Sequence, residues 1–337
     1  MKTKIARVRV RSLLGASLSA AVLLTSKQGL AQESINLPQP NQAVALGCVA
    51  VTAGDYPQVQ LRRNFVDAFD KLDLKSNRWT PHYDAGYDDT AKRWLGYDWV
   101  VKRTLPGAQE QQIYVDPDYR GSTSAPLNLN PFTTSNGILT ITADRIPPEL
   151  KAALPGFQFM SGLLTTRKSF LQKYGYFEIR AKVPAGRNLL PAFWLLPFDK
   201  SWPPELDVFE APGHEPDKIV TTVHWKEPSG QQKASGCRTV VPGFDKQFHR
   251  YGALWTPERV VYYLDRRPIA QIATPPGFDK PMYMIVNLAV GGTWVGRATD
   301  ENPMPVKFEV DEISAYTLGE PDQCNVAANG VKTCQGN

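Results

Sequence analysis

Short runs of β-branched and aromatic residues, each closed off by Pro, Gly or Asp/Asn clusters, dominate this chain and call for strands instead of long helices. Ile138-Leu139-Thr140-Ile141-Thr142 alternates cleanly, as does Tyr176 through Val183. Val220-Thr221-Thr222-Val223, Val260 through Leu264, Met282 through Val290 and Phe308 through Tyr316 continue the pattern. With 28 Pro and 25 Gly in 337 residues, turns are frequent, and a short helix is expected only near Pro148–Leu154. Many strands at short spacing predict an all-β fold, a two-sheet antiparallel β-sandwich. Residues 32–62, with Pro38, Pro40 and Pro57 and no clear periodicity, read as an N-terminal arm or linker.

The N-terminus carries Lys2, Lys4, Arg7, Arg9 and Arg11, then a twelve-residue apolar run from Leu13 to Leu24, then Gly29-Leu30-Ala31. That is the pattern of a signal peptide over residues 1–31, and the run is too short to span a bilayer. The expected product is secreted or periplasmic, with no membrane partner after cleavage. Removing 1–31 takes away six basic residues and no acidic ones, so the formal charge falls from +5 to −1. A nearly neutral chain gives no reason to expect a nucleic-acid partner. Export makes disulfides expected among Cys48, Cys237, Cys324 and Cys334. Three connectivities exist, of which sequence proximity favours Cys324–Cys334, leaving Cys48 to reach Cys237. Paired Cys-x-x-Cys spacing is absent and the four histidines are scattered, so no metal site is predicted.

Glu205-Leu206-Asp207-Val208-Phe209-Glu210 places three carboxylates in a short apolar stretch between Pro203-Pro204 and Ala211-Pro212-Gly213. A helix would point Glu205 and Glu210 about 140° apart, and the prolines leave it no room. On a strand Glu205 and Asp207 share a face, whereas Glu210 falls on the other unless one extra residue is taken up as a β-bulge near Val208-Phe209. Glycoside hydrolysis gives such a cluster a purpose: one carboxylate attacks the anomeric carbon while another protonates the departing oxygen. At roughly 5.5 Å and an effective dielectric near 20, two such charges repel by about 3 kcal/mol, enough to keep one acid protonated near neutral pH. The plainer alternative is an acidic strand that guards a sheet edge.

The stretch resembles the Glu-x-Asp-x-x-Glu signature of family 16 glycoside hydrolases, the laminarinase, lichenase and agarase group. Ser161 through Thr166, Tyr174 through Gly186, Pro191 through Pro197 and Asn287 through Trp294 are similar to that family's blocks, in its order. The resemblance implies a jelly roll with a concave substrate cleft, a catalytic domain over 63–320 and a C-terminal tail over 321–337. It also implies Glu205 as nucleophile, Asp207 as its helper, Glu210 as general acid and base, and net retention through a covalent intermediate. The longer spacing, as opposed to Glu-x-Asp-x-Glu, resembles the family's bulged branch.

Polysaccharide sites set aromatic faces against sugar rings and polar groups against hydroxyls. Trp202, Trp194 and Trp294 stand where the resemblance places cleft aromatics, with core packing as the alternative for each. Glu178 and Arg180 alternate onto one strand face, either at a sugar subsite, as in the family's lichenase branch, or as a solvated ion pair. Asn287, inside an apolar strand, and His224, on the strand after the acids, are further substrate-contact candidates or else hydrogen-bonded structural residues.

The leading expectation is a secreted endo-acting β-glycanase cleaving internal β-1,3 or β-1,4 linkages of a β-glucan or a bacterial exopolysaccharide, the latter by likeness to succinoglycan depolymerases. The alternatives are a non-catalytic carbohydrate-binding jelly roll and a transglycosylase on the same scaffold. Carboxylate acid–base work needs no cofactor. A structural Ca²⁺ suits such sandwiches, but no loop has a ligand pattern specific enough to place it. A polysaccharide is the expected partner, and the chain is expected to act as a monomer.

Overall fold

A computed structural model of the chain describes residues 33–40, 44–83, 98–318 and 324–335; the expected signal peptide lies outside them. The N-terminal segment contributes β1 (Ser34–Pro38), β2 (Val49–Ala50) and β3 (Gln58–Asp67). Then come β4 (Gln112–Tyr114), β5 (Phe132–Ser135), β6 (Ile138–Arg145), β7 (Phe159–Ser161), β8 (Leu163–Thr165), β9 (Phe170–Lys173) and β10 (Gly175–Lys182). The central run is β11 (Leu189–Pro197), β12 (Glu205–Glu210), β13 (Lys218–Lys226) and β14 (Gln232–Val240). β15 (His249–Trp255), β16 (Arg259–Leu264), β17 (Arg267–Ala273), β18 (Met282–Val290), β19 (Val306–Thr317), β20 (Cys324–Val326) and β21 (Lys332–Gln335) complete the chain. Near Pro148 only a 3₁₀ turn forms, Pro148–Leu150.

The strands make two packed sheets, as the alternation predicts. One runs β2-β17-β16-β15-β10-β19-β6-β7-β4, with β3 also on β19; the other runs β14-β13-β12-β11-β18-β9-β21-β20. Pairing is antiparallel except for β4 with β7 and β9 with β21. Between the sheets lies a core in which Phe193, Leu206, Val208, Phe209 and Val286 of the second sheet meet Phe177, Ile179, Tyr251 and Phe308 of the first. Apart from the adjacent pair Val208 and Phe209, each is an inward member of a two-residue alternation, and burying such side chains contributes about 1.5–3 kcal/mol apiece. β18 is buried along its whole length. Its outer face is covered by a second apolar cluster that joins Tyr283 and Ile285 to Tyr83, Tyr114 and Trp194.

The segment read as an arm or linker enters the first sheet: β1 pairs with β3, and β3 pairs with β19. A boundary at residue 62 therefore runs through the middle of β3. Its alternation was hidden because two of its inward positions are charged. Arg63 is buried against Glu33 at 2.7 Å, and Asp67 accepts from Arg78 and Trp79. The disulfides are Cys48–Cys237 and Cys324–Cys334, the pairing that proximity favours. The first ties β14, an edge strand, to the segment just ahead of β2. Among the described residues no helix is long and apolar enough to cross a membrane.

Candidate active site

The acids stand on β12, and the strand is bulged where the five-residue spacing demands it. Against β11, Phe193 faces Phe209 while Trp194 faces Asp207, so Val208 has no opposite number. Against β13, Asp207 faces Thr222 and Glu210 faces Val220, three steps on one strand against two on the other. Val208 and Phe209 both point into the core. Glu210 is thereby returned to the outer face with Glu205 and Asp207, and all three line one cavity of about 440 Å³. The turn that ends β12 is tight: a Cβ on Gly213 would lie 1.7 Å from the Gly186 carbonyl oxygen, so no side chain fits.

The floor reads across the sheet as a row, Arg238, Val220, Glu210, Ala192 and Asn287, one residue per strand from β14 to β18. Deleting Val208 would leave Glu205, Asp207 and Glu210 alternating without a bulge over the same stretch of β13. The deletion variant is expected to fold with all three acids on the cavity and to lose about 1–3 kcal/mol of stability with the buried valine. Urea unfolding measures this, and a deletion variant that does not fold would contradict the register described above.

Burial raises the pKa of all three acids. Glu205 is pushed up to about 8 by desolvation and then by the Asp207 charge, while His224 and the Trp202 N–H hold it down. Asp207 also rises to about 8, mainly through burial, and the two carboxyls hydrogen-bond to each other. Glu210 lies well above the carboxylate range, from burial first and then from the charges of Asp207 and Glu205. Like-charge repulsion, the cause predicted from sequence, comes second to desolvation. Trp202 Nε1–H donates to Glu205 Oε2 at 2.6 Å, and His224 Nε2 lies 3.8 Å from Glu205 Oε1 and 3.4 Å from Asp207 Oδ2. Those groups bring Glu205 below Glu210, so Glu205 gives up its proton first as pH rises and Glu210 is the acid that keeps one.

Groups raised in the folded state bind more protons there than in the unfolded chain. The stability they contribute is complete below the unfolded values near 4 and is lost as pH rises through about 8. The urea midpoint is therefore expected to fall between pH 5 and pH 8, and Asp207→Asn to flatten that slope. An unchanged slope in the variant would show that Asp207 does not carry it.

Glu205, Asp207 and His224 bring ligand atoms within 4.8 Å of one another. A cation seated there would cover carboxylate oxygens that the expected hydrolysis needs bare.

Trp294, 38% exposed, lines the cavity and meets the His214 ring edge-on. Trp202 is 43% exposed and tilts over His224. Trp194 and Asn287 line the cavity but are buried and hydrogen-bonded together. The indole N–H donates to Asn287 Oδ1 at 2.7 Å, and Asn287 Nδ2 donates to Tyr114 Oη at 3.0 Å. Both ends of the Asn287 amide are thus used within the protein, which makes it a brace under the cleft. Glu178 and Arg180 are not in the cleft. They sit on β10 of the opposite sheet, with Phe177 and Ile179 facing the core between. Glu178 is fully buried against Arg250, Arg266 and Tyr176, and Arg180 pairs with Asp311.

Sequence reading missed Thr222, which hydrogen-bonds Glu210, and Arg238 on the edge strand. Thr222 was within reach, since it lies two residues from His224 on the same face. Glu110 and Tyr83 reach the cavity from irregular segments and carry no periodic signal.

A model of Glycosyl hydrolases family 16 matches residues 125–312. The chain is 41% identical over 263 residues to endo-1,3-1,4-beta-glycanase EglC of Rhizobium meliloti, covering 77% of this chain and 52% of EglC. It therefore spans about half the length of that relative. It is 35% identical over 261 residues to a beta-glucanase of Rhodothermus marinus, covering 71% of this chain and 84% of that one. The X-ray structure of an endo-beta-1,3-glucanase from Pyrococcus furiosus matches with a TM-score of 0.56 at 28% identity, over 77% of this chain and 95% of that one. With the family's model covering more than half of the chain, and the bulged acidic strand inside the matched region, the protein belongs to glycosyl hydrolase family 16.

Proposed function

We propose that this chain is a secreted, endo-acting β-glycanase that hydrolyses internal β-1,3 or β-1,4 linkages of a β-glucan or exopolysaccharide by double displacement with net retention. The observation that carries the reading is the bulge at Val208, which sets Glu210 on the same cavity as Glu205 and Asp207. Ionised Glu205 attacks the anomeric carbon while Glu210 delivers its proton to the departing oxygen, and the glycosyl group becomes an ester of Glu205. Glu210, now ionised, takes a proton from water, which attacks the same carbon and releases the sugar. Asp207 holds the Glu205 carboxyl through their hydrogen bond and takes up negative charge less readily than an exposed aspartate, so it tunes the pair without reacting.

A floor crossing five strands, with Trp294 and Trp202 exposed, suits a polymer bound in mid-chain. Two disulfides and the basic, then apolar, N-terminus support export. The names of EglC and the Rhodothermus marinus enzyme favour β-glucans as substrates. The test is digestion of lichenan, laminarin, curdlan, agarose and bacterial exopolysaccharides with sizing of early products. Long oligomers from a β-linked polymer support the reading; exclusive release of mono- or disaccharides, or no cleavage, contradicts it.

A further inference from the structure

The wall of the cleft beyond β18 contains a carboxyl that the hydrolytic scheme does not use. Gln111 N–H donates to the Val290 carbonyl and Val290 N–H donates to Gln112 Oε1, docking the segment before β4 onto the end of β18. Thr293 N–H donates to the Ala108 carbonyl and holds the same segment beside Trp294. Glu110, only 8% exposed, lines the cavity from this wall. Its Oε2 is clamped by Leu105 N–H at 3.2 Å and Gln112 Nε2 at 2.7 Å. Its Oε1 has no hydrogen-bond partner among the described residues and is the polar atom left for the cavity. Strand spacing sets β18 about 10 Å from β12, so Glu110 lies to one side of the reacting acids.

We propose that Glu110 is a substrate-positioning residue whose Oε1 accepts a hydrogen bond from a hydroxyl of the glycan unit bound on the β18 side of the scissile bond. The proposal rests on the glycanase reading above and adds a binding contact to it. A buried acceptor clamped on one side is already oriented, so little freedom is lost when a hydroxyl meets it. Burial also brings the Glu110 pKa up to about 7, so the strongly accepting carboxylate form grows as pH rises through neutrality.

Glu110→Gln tests this. Leu105 N–H and Gln112 Nε2 both require an oxygen, so the amide keeps its oxygen on them and turns its NH₂ to the cavity. The expected result is a KM for β-glucan about fivefold higher, the difference between a charged and a neutral hydrogen bond, with kcat within about twofold and the thermal midpoint unchanged. The wild-type KM is expected to fall as pH rises through about 7, and this limb is expected to vanish in the variant. The same weakening is expected in the affinity of Glu205→Gln for an intact oligosaccharide, measured by calorimetry with and without Glu110→Gln.

An unchanged KM, or a loss that follows the thermal midpoint, would make Glu110 a structural clamp only and overturn the proposal. Loss of hydrolysis in Glu205→Gln alongside a wild-type KM in Glu110→Gln would remove this contact and leave the glycanase reading standing. No cleavage by the wild type and no glycan bound by Glu205→Gln would remove both.

Discussion

Glu205→Gln is expected to lower turnover of a β-glucan by on the order of 10⁴-fold or more while the protein stays folded. The amide has nearly the shape of the carboxyl and still offers an oxygen to Trp202 Nε1–H, so the cavity keeps its form. What is lost is the attacking lone pair of an anion, for which the site holds no substitute: Asp207 is turned toward Glu205 and His224, with its Oδ2 buried and without a hydrogen bond. The substitution also removes one of the charges that keep Glu210 protonated, so the pKa of Glu210 should move down toward the ordinary range. Steady-state assays paired with circular dichroism check both parts. A loss of less than tenfold would take the nucleophile's role away from Glu205.

The second large effect belongs to Glu210 and depends on the leaving group. Glu210→Ala is expected to cost about 10²–10⁴-fold on a polysaccharide, whose departing alcohol needs a proton. An aryl glycoside with an acidic phenol departs without that help, so formation of the glycosyl-enzyme should be nearly normal and the intermediate should accumulate. Azide, which attacks without a general base, is then expected to restore turnover and give a β-glycosyl azide. Equal loss on both substrates, with no rescue, would mean that Glu210 shapes the cleft without moving protons.

The parts of this account that were legible in sequence are those that depend on neighbours along the chain. The acids' spacing, the prolines that bar a helix and the two-residue period of a strand meant that all three acids could share a face only with a bulge near Val208-Phe209, and β12 has it there. Glu178 and Arg180 show the limit of the same rule. Alternation put them on one face of β10, but which sheet β10 joins is decided by its pairing with β15 and β19, far along the chain. Asn287 is a similar case, because its partner Tyr114 arrives from 173 residues away on a segment with no periodicity of its own. β3 was missed for another reason: buried Arg63 and Asp67 interrupt the apolar pattern, and their partners Glu33 and Arg78 lie outside the strand.

The central claim, that the bulge makes Glu205 and Glu210 a nucleophile and its acid–base partner, fixes the stereochemistry of the product. Proton NMR of a short β-glucan oligosaccharide during the first minutes of digestion, before mutarotation, reads the new reducing end directly. The account predicts the β-anomer first, with the α-anomer growing in only at the rate of mutarotation; an α-anomer formed first would mean direct attack by water and would contradict it.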